Sequence, residues 1–237
     1  MGKIIIVESS TDGCGKETQT KTLVERLKKE GKKVIRFTFP NYESYSSIFV
    51  KKYLNGEYGK DPKKQDPYII STFFAIDRYI TFKEQIEKYY NDDYYIIIDR
   101  YVISNMIYQG AKIQDKEEKE KFLKWEEEFE YNLYKIPRPD KVIYLHLTIE
   151  ASQKLIKDRK NKIDGNEEKD IHEQDLGFLK DVYNMAEELA HKNDWIRIEC
   201  LDENKNRQLC FTVLDKDNNN IIAIGGFTYG VTTTEMA

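Results

Sequence analysis

Residues 3–19, Lys-Ile-Ile-Ile-Val-Glu-Ser-Ser-Thr-Asp-Gly-Cys-Gly-Lys-Glu-Thr-Gln, run an apolar strand into a glycine-containing turn, a lysine and the start of a helix. Each part has its own role in holding a polyphosphate. The apolar run from Ile4 to Val7 reads as a buried strand, and Gly13 and Gly15 allow the backbone to fold tightly. The amide groups of such a turn, Cys14 included, then point inward at an anion. Lys16 adds a point charge within reach of the outer phosphates, and a helix starting near Glu17 contributes the positive end of its dipole. The segment predicts a nucleoside triphosphate site. The full phosphate-loop pattern asks for Gly at position 10 and Ser or Thr at position 17, and this chain has Ser10 and Glu17. Ser10 fits if its φ stays negative. Glu17 supplies a hard carboxylate oxygen as a candidate ligand for Mg²⁺, and Thr18 offers a hydroxyl to an inner phosphate.

Five apolar runs read as strands, Lys3–Val7, Lys33–Phe39, Tyr94–Asp99, Lys141–Leu147 and Trp195–Cys200, with helical patterns between them. That alternation predicts an α/β fold of the P-loop NTPase type, a parallel five-stranded sheet with helices on both faces. Leu23, Val24 and Leu27 give the first helix its inward stripe, and Gly31 is placed to stop it. Further helices are expected over 66–90, 115–134 and 168–191. At 237 residues the chain fits one α/β domain, expected over 1–207. Residues 157–169 are the most polar internal stretch, a composition suited to a lid over a phosphoryl donor. From Gln208 to Ala237 a tail of different texture reads as a β-hairpin, with Cys210–Leu214 and Ile221–Val231 flanking an Asp/Asn-rich turn. A sheet edge and a second chain are its candidate partners, and no chemistry is legible in it.

A net charge of −4, with 34% charged residues, gives no support for bulk affinity toward nucleic acid or anionic membranes. Recognition of phosphate must therefore come from local clusters. No stretch approaches the roughly 20 apolar residues of a membrane span, and no signal-peptide pattern precedes the first strand. Cys14, Cys200 and Cys210 lack metal-ligand or CxxC spacing and read as reduced thiols of a cytoplasmic protein. Cys14 reads as a small side chain filling a small space.

The second strong signal is Tyr94-Tyr95-Ile96-Ile97-Ile98-Asp99-Arg100-Tyr101. A buried strand ending in Asp puts a carboxylate at the C-terminal sheet edge, where ligands of open α/β sheets gather. Asp99 is a candidate to hold nucleotide-bound Mg²⁺, and the planar fork of Arg100 suits a second phosphate. On the next helix Ser104 and Tyr108 share a face, as do Asn105 and Gln109, and Asn105 offers a donor and an acceptor suited to a nucleobase edge. Phe74 and Arg78, four apart, pair a stacking ring with a cation, although a lone Phe is more often core. His146 and His191 read as core or surface histidines.

Taken together, Asp12-Gly13-Cys14-Gly15-Lys16, Phe39-Pro40-Asn41-Tyr42, Thr72-Phe73-Phe74-Ala75-Ile76-Asp77-Arg78, Asp99-Arg100-Tyr101-Val102-Ile103-Ser104-Asn105 and Pro137-Arg138-Pro139-Asp140 resemble the thymidylate kinase family over about residues 3–200. The resemblance implies transfer of the γ-phosphoryl of Mg·ATP to dTMP, giving dTDP, by a homodimeric enzyme. It implies that Asp12 binds the 3′-hydroxyl of dTMP and that Phe74 stacks on thymine. Arg78 and Asn105 would bond the base edge with Ser104 and Gln109 nearby, Tyr108 would lie against the 2′ carbon, and Arg100 would hold the acceptor phosphate beside Tyr42. The chain departs from the family pattern at Ser10, at Glu17, and at His146, where an Asp is frequent. Position 13 is Gly where some members carry a catalytic Arg, which shifts that duty to the lid cations Arg159, Lys160 and Lys162. His172 stands near a family position that reaches back to the acceptor. Two other readings stay open at this point. One is a kinase of another deoxynucleoside monophosphate or of a deoxynucleoside. The other, motivated by Ser10, Glu17 and the tail, is a nucleotide-binding protein without catalysis.

Overall fold

The fold is taken from a computed structural model that describes residues 1–11, 13–156, 170–201, 208–214 and 221–228, the last two as backbone course alone. Strands β1 (Lys3–Glu8), β2 (Val34–Thr38), β3 (Tyr95–Asp99), β4 (Lys141–His146) and β5 (Ile196–Glu199) form one sheet in the order β2-β3-β1-β4-β5. Every pairing in it is parallel. Parallel strands need crossovers, and helices supply them on both faces.

The alternation of side chains along β1 shows why this strand is central. Ile4 and Ile6 enter one apolar cluster, with Ile96, Ile98, Ile107 and Phe178. Ile5 and Val7 enter the other, with Leu23, Leu27, Ile97 and Leu145. A strand buried on both faces reads as a continuous apolar run because each face has its own core to fill. The second cluster is covered by α1 (Lys16–Lys29), and Gly31 beyond it takes φ +75° with its N–H on Lys28 O. That left-handed residue ends the helix as the sequence predicts.

After β2 a short helix, α2 (Ile48–Leu54), precedes α3 (Pro67–Thr81), whose N-terminus is capped by the Asp66 carboxylate accepting from Ile69 N–H. The helix expected over 66–90 is continuous, but it passes through a π-helical turn at Phe82–Ile86 before α4 (Glu87–Asn91). β3 leads to α5 (Val102–Gly110), and α6 (Lys116–Glu127) is prolonged by a second π-helical turn, Glu128–Leu133. α7 (Ile149–Ile156) follows β4.

The single helix expected over 168–191 is two helices. α8 (Ile171–Gln174) and α9 (Leu176–Lys192) meet at Asp175, which takes ψ 98° and caps α9 by accepting from Phe178 N–H. An Asp that satisfies the next helix's amides must itself leave helical geometry, so the break follows from its side chain. The tail forms the expected hairpin, β6 (Gln208–Leu214) antiparallel to β7 (Ile221–Thr228), as a separate two-stranded sheet. It does not extend the edge of the main sheet, and 229–231, expected in its second strand, lie outside the described residues.

Candidate active site

The loop after β1 takes the conformation its glycines permit. Gly13 and Gly15 have φ +81° and +86°, and no atom lies within 4 Å of where a Cβ on Gly15 would sit. A side chain there would be excluded by backbone geometry and not by crowding. Ser10 is not among the residues of positive φ, and its buried hydroxyl accepts from Tyr144 Oη at 2.9 Å. Lys16 is buried at the start of α1, with Nζ donating to Ser9 Oγ at 2.6 Å, 3.9 Å from Cys14 Sγ. Cys14 is buried with its thiol on Thr11 O, consistent with a filling role.

Register brings the C-terminal ends of β1, β2 and β3 together, since Val7 and Thr38 both pair with Asp99. Beside them opens a cavity of about 260 Å³. It is lined by Glu17, Arg36, Thr38, Tyr42, Phe74, Arg78, Asp99, Arg100, Ser104, Asn105, Tyr108 and Gln109 among others. Asp99 is 3.5 Å from the Arg36 guanidinium, and Arg36 Nε donates to Thr20 Oγ1. Arg100 sits at φ +66°, a left-handed conformation costing a branched-at-Cβ or bulky side chain on the order of 1 kcal/mol. Its backbone N–H is held by Val7 O, its guanidinium is 3.4 Å from Glu8 Oε1, and it lies over the Tyr108 ring at 5.2 Å.

Glu8 is the functional residue that sequence reasoning missed. It is fully buried at the end of β1, accepts from Ser9 N–H at 2.9 Å, and is in hydrogen-bond contact with Ser104 and Arg100. A charged residue closing an apolar strand was the available signal. Glu8 lies outside the cavity lining, whereas Arg36, Asp170 and Glu173 line it without having been singled out.

The base-facing part is built from α3 and α5. Asp77 accepts from Asn41 N–H at 2.8 Å and Ser46 Oγ at 2.6 Å, which ties the Phe39–Tyr42 segment to α3. Arg78 is buried and paired with Glu130 through two hydrogen bonds. Asn105 Nδ2 donates to Ser71 O and Glu126. On the far wall Tyr108 stacks on His172, ring centres 5.2 Å apart and 23° from parallel. Tyr53 Oη lies 2.8 Å from His172 Nε2 and receives Lys112 Nζ at 3.2 Å. Burial pushes the Tyr53 phenol up, so it stays protonated, and pushes Lys112 down to about 7. The buried Oε1 of Gln109 has no hydrogen-bond partner among the described residues.

The sequence-selected residues from Tyr42 to Gln109 line the cavity, but Gly13, Cys14, Gly15 and Lys16 do not. Thr18 is exposed in the first turn of α1 and does not line the cavity. Glu17 lines it and pairs with Lys21 at 2.8 Å. His146 bonds Glu199 and Tyr183, and His191 is exposed on α9, so both are structural histidines. Asp12, Arg159, Lys160 and Lys162, together with the 157–169 lid, lie outside the described residues.

A parallel sheet with a glycine-containing loop and lysine after its central strand, and at its C-terminal edge a cavity lined by Arg100, Phe74, Arg78 and Asn105, is the architecture of a P-loop nucleoside monophosphate kinase. The model of the family described as thymidylate kinase matches residues 11–208. The thymidylate kinase of Brachyspira hyodysenteriae is 33% identical over 175 residues, covering 73% of this chain and 77% of that protein. That of Plasmodium falciparum is 28% identical over 198 residues, covering 84% and 82%. Among solved structures, thymidylate kinase from Candida albicans superposes with a TM-score of 0.61 at 22% identity, over 84% of this chain and 83% of that one, and so supports the fold. The chain belongs to the thymidylate kinase family, whose members phosphorylate dTMP with ATP.

Proposed function

We propose that the acceptor dTMP lies with its phosphate on Arg100 and its base between Phe74, Arg78 and Asn105, facing an ATP held by the loop around Lys16. The observation that carries this reading is that Arg100 lines the same cavity as Glu17 and Asp99 and as Phe74, Arg78 and Asn105. An oxygen of the acceptor phosphate attacks the γ-phosphorus, the bond from that phosphorus to the β-phosphate oxygen breaks, and ADP leaves. The acceptor phosphate is already ionised, so no general base is required. The protein's work is alignment of two anions and neutralisation of their charge.

Arg100 binds the acceptor phosphate and Glu8 holds Arg100. Ser104 and Gln109 line the sugar and base pocket, Tyr108 faces the 2′ carbon, and Tyr42 closes the phosphate side. Lys16 and the amides of Gly13, Cys14 and Gly15 take the donor phosphates, with Thr18 beside them. Asp12 at the 3′-hydroxyl, and Arg159, Lys160 and Lys162 as lid cations over the donor, complete the set.

Asp99 and Glu17 would hold Mg²⁺. Both are hard oxygen donors lining the same cavity, which fits the ion. Among the described residues no cluster of three or more His, Cys, Asp or Glu could bind a metal. That suits an ion taking most of its ligands from phosphate and water. When bound, it would neutralise charge on the β- and γ-phosphate oxygens.

We further propose a cytoplasmic homodimer and a kinase domain over 1–207, with 208–237 a tail of separate role. No helix among the described residues is long and apolar enough to cross a membrane. Exposed Ile48 and Phe49 on α2 and Ile69 and Tyr79 on α3 supply an apolar face for a second copy. A coupled ADP-release assay with dTMP, dUMP, dGMP and deoxythymidine tests the acceptor. dTMP is expected to be the best substrate, and equal rates with dGMP or with the unphosphorylated nucleoside would refute the assignment.

A further inference from the structure

Behind the base-facing residues, and outside the cavity lining, lie two glutamates of the most charged helix in the chain. Glu126, in α6, and Glu130, in the π-helical turn that prolongs it, are both fully buried. Glu130 binds Arg78 through Nε at 2.7 Å and Nη2 at 2.5 Å. Glu126 Oε1 accepts from Asn105 Nδ2 at 2.8 Å and is 4.0 Å from Arg78 Nη2. The same Nδ2 donates to Ser71 O at 3.1 Å and faces Glu130 Oε1 at 3.4 Å.

These partners settle which way the Asn105 amide faces. A backbone carbonyl and the carboxylate paired with Arg78 only accept, so the NH₂ group must face them and the amide oxygen is left for the cavity. The charge balance agrees. One guanidinium faces two carboxyl groups, and burial together with Glu130 pushes the Glu126 acid well above the usual carboxylate range, so the neutral form of Glu126 is favoured. A neutral acid still accepts through its carbonyl oxygen.

We propose that Glu126 is a positioning residue for base selection. It holds Asn105 with its oxygen toward the cavity while Arg78 stays locked on Glu130, so the pocket presents one acceptor and one donor in fixed order. A pyrimidine with an N3–H and a 4-oxo group matches that order. A pyrimidine with a bare N3 and a 4-amino group sets acceptor against acceptor and donor against donor. An unpaired buried polar group costs more than a missing contact, and such reversals discriminate strongly. Glu126 thus selects the tautomeric face of the base without touching it.

The inference rests on Phe74, Arg78 and Asn105 forming the base pocket, and the experiment separates the two claims. KM and kcat are measured for dTMP and dCMP with the parent chain and with Glu126→Met, Glu126→Gln and Asn105→Ala, alongside thermal unfolding. Glu126→Met keeps the volume and removes the acceptor. It is expected to raise KM for dTMP about tenfold with little change in kcat, and to lower the preference for dTMP over dCMP by a similar factor. Glu126→Gln keeps a neutral carbonyl in place and is expected to restore both values. A folded Glu126→Met with parental selectivity overturns the proposal, and so does a KM rise shared equally by both substrates. If Glu126→Met does not fold, Glu126→Gln decides: parental selectivity supports the proposal and its loss overturns it. An unchanged KM for dTMP in Asn105→Ala strikes at the pocket assignment instead.

Discussion

Glu8 and Arg100 divide one task between them. Arg100 pays for a left-handed backbone, and in that conformation its guanidinium lies over Tyr108 and beside Glu8 instead of continuing the line of β3. Glu8 meanwhile ties Ser9 N–H at the start of the phosphate loop to Ser104 on α5. A residue that fixes both the loop and the acceptor-side arginine controls the distance between two reacting groups, where small misplacements are costly. Glu8→Gln is expected to lower kcat/KM for dTMP by about 10–100-fold while the protein stays folded, as steady-state assays and circular dichroism would show. Lys16→Ala and Arg100→Ala remove preorganised donors themselves and are each expected to lose ~10²–10³ in kcat. Near-parental turnover in either variant would contradict the site.

At the scale of elements, α2, α5 and α8 are joined beside Phe74 through a run of side chains from Lys112 through Tyr53 to His172 and Tyr108. Tyr53 Oη accepts from Lys112 and also meets His172 Nε2 at 2.8 Å. Lys112 is held in this apolar corner with its pKa down at about 7, against 10.5 in the unfolded chain. Between those values the unfolded chain binds the extra proton, so this group makes stability rise with pH from about 7 to 10.5, and below 7 its full cost is present. Lys112→Met is expected to flatten that rise. Urea unfolding at pH 7 and pH 10 would show it, and an unchanged pH slope would mean that Lys112 is not desolvated in solution.

For the whole molecule, the exposed apolar side chains of α2 and α3 predict association. Ile69→Glu, which places a charge at a 57% exposed position, is expected to shift the sedimentation coefficient from dimer to monomer. A parent chain already monomeric at micromolar concentration would remove that prediction. Much of this architecture was legible in the chain because its causes are local. Ile4–Val7 is apolar at every position and so is a strand buried on both faces, Gly13 and Gly15 are at the turns that need positive φ, and Asp66-Pro67 opens a helix by its own chemistry. The separate motifs around Arg78 and Asp99-Arg100 could be matched without knowing what packs on them. The break at Asp175 and the π-helical turns were not legible, since capping and packing compete there over one or two residues. Least legible of all were the buried acids. Glu126 and Glu130 sit in a helix that reads as a solvated charge run, yet Glu126 meets Asn105 across 21 residues of chain and Glu130 meets Arg78 across 52. The sequence by itself determined the sheet, the glycine-containing loop and the motifs that line the cavity, because strand period, turn chemistry and capping act within a few residues. Only the tertiary structure decided that Glu8, Glu126 and Glu130 lie out of water and that Lys112 is partly withdrawn from it, because the cost of burying a charge depends on partners that folding brings from elsewhere in the chain.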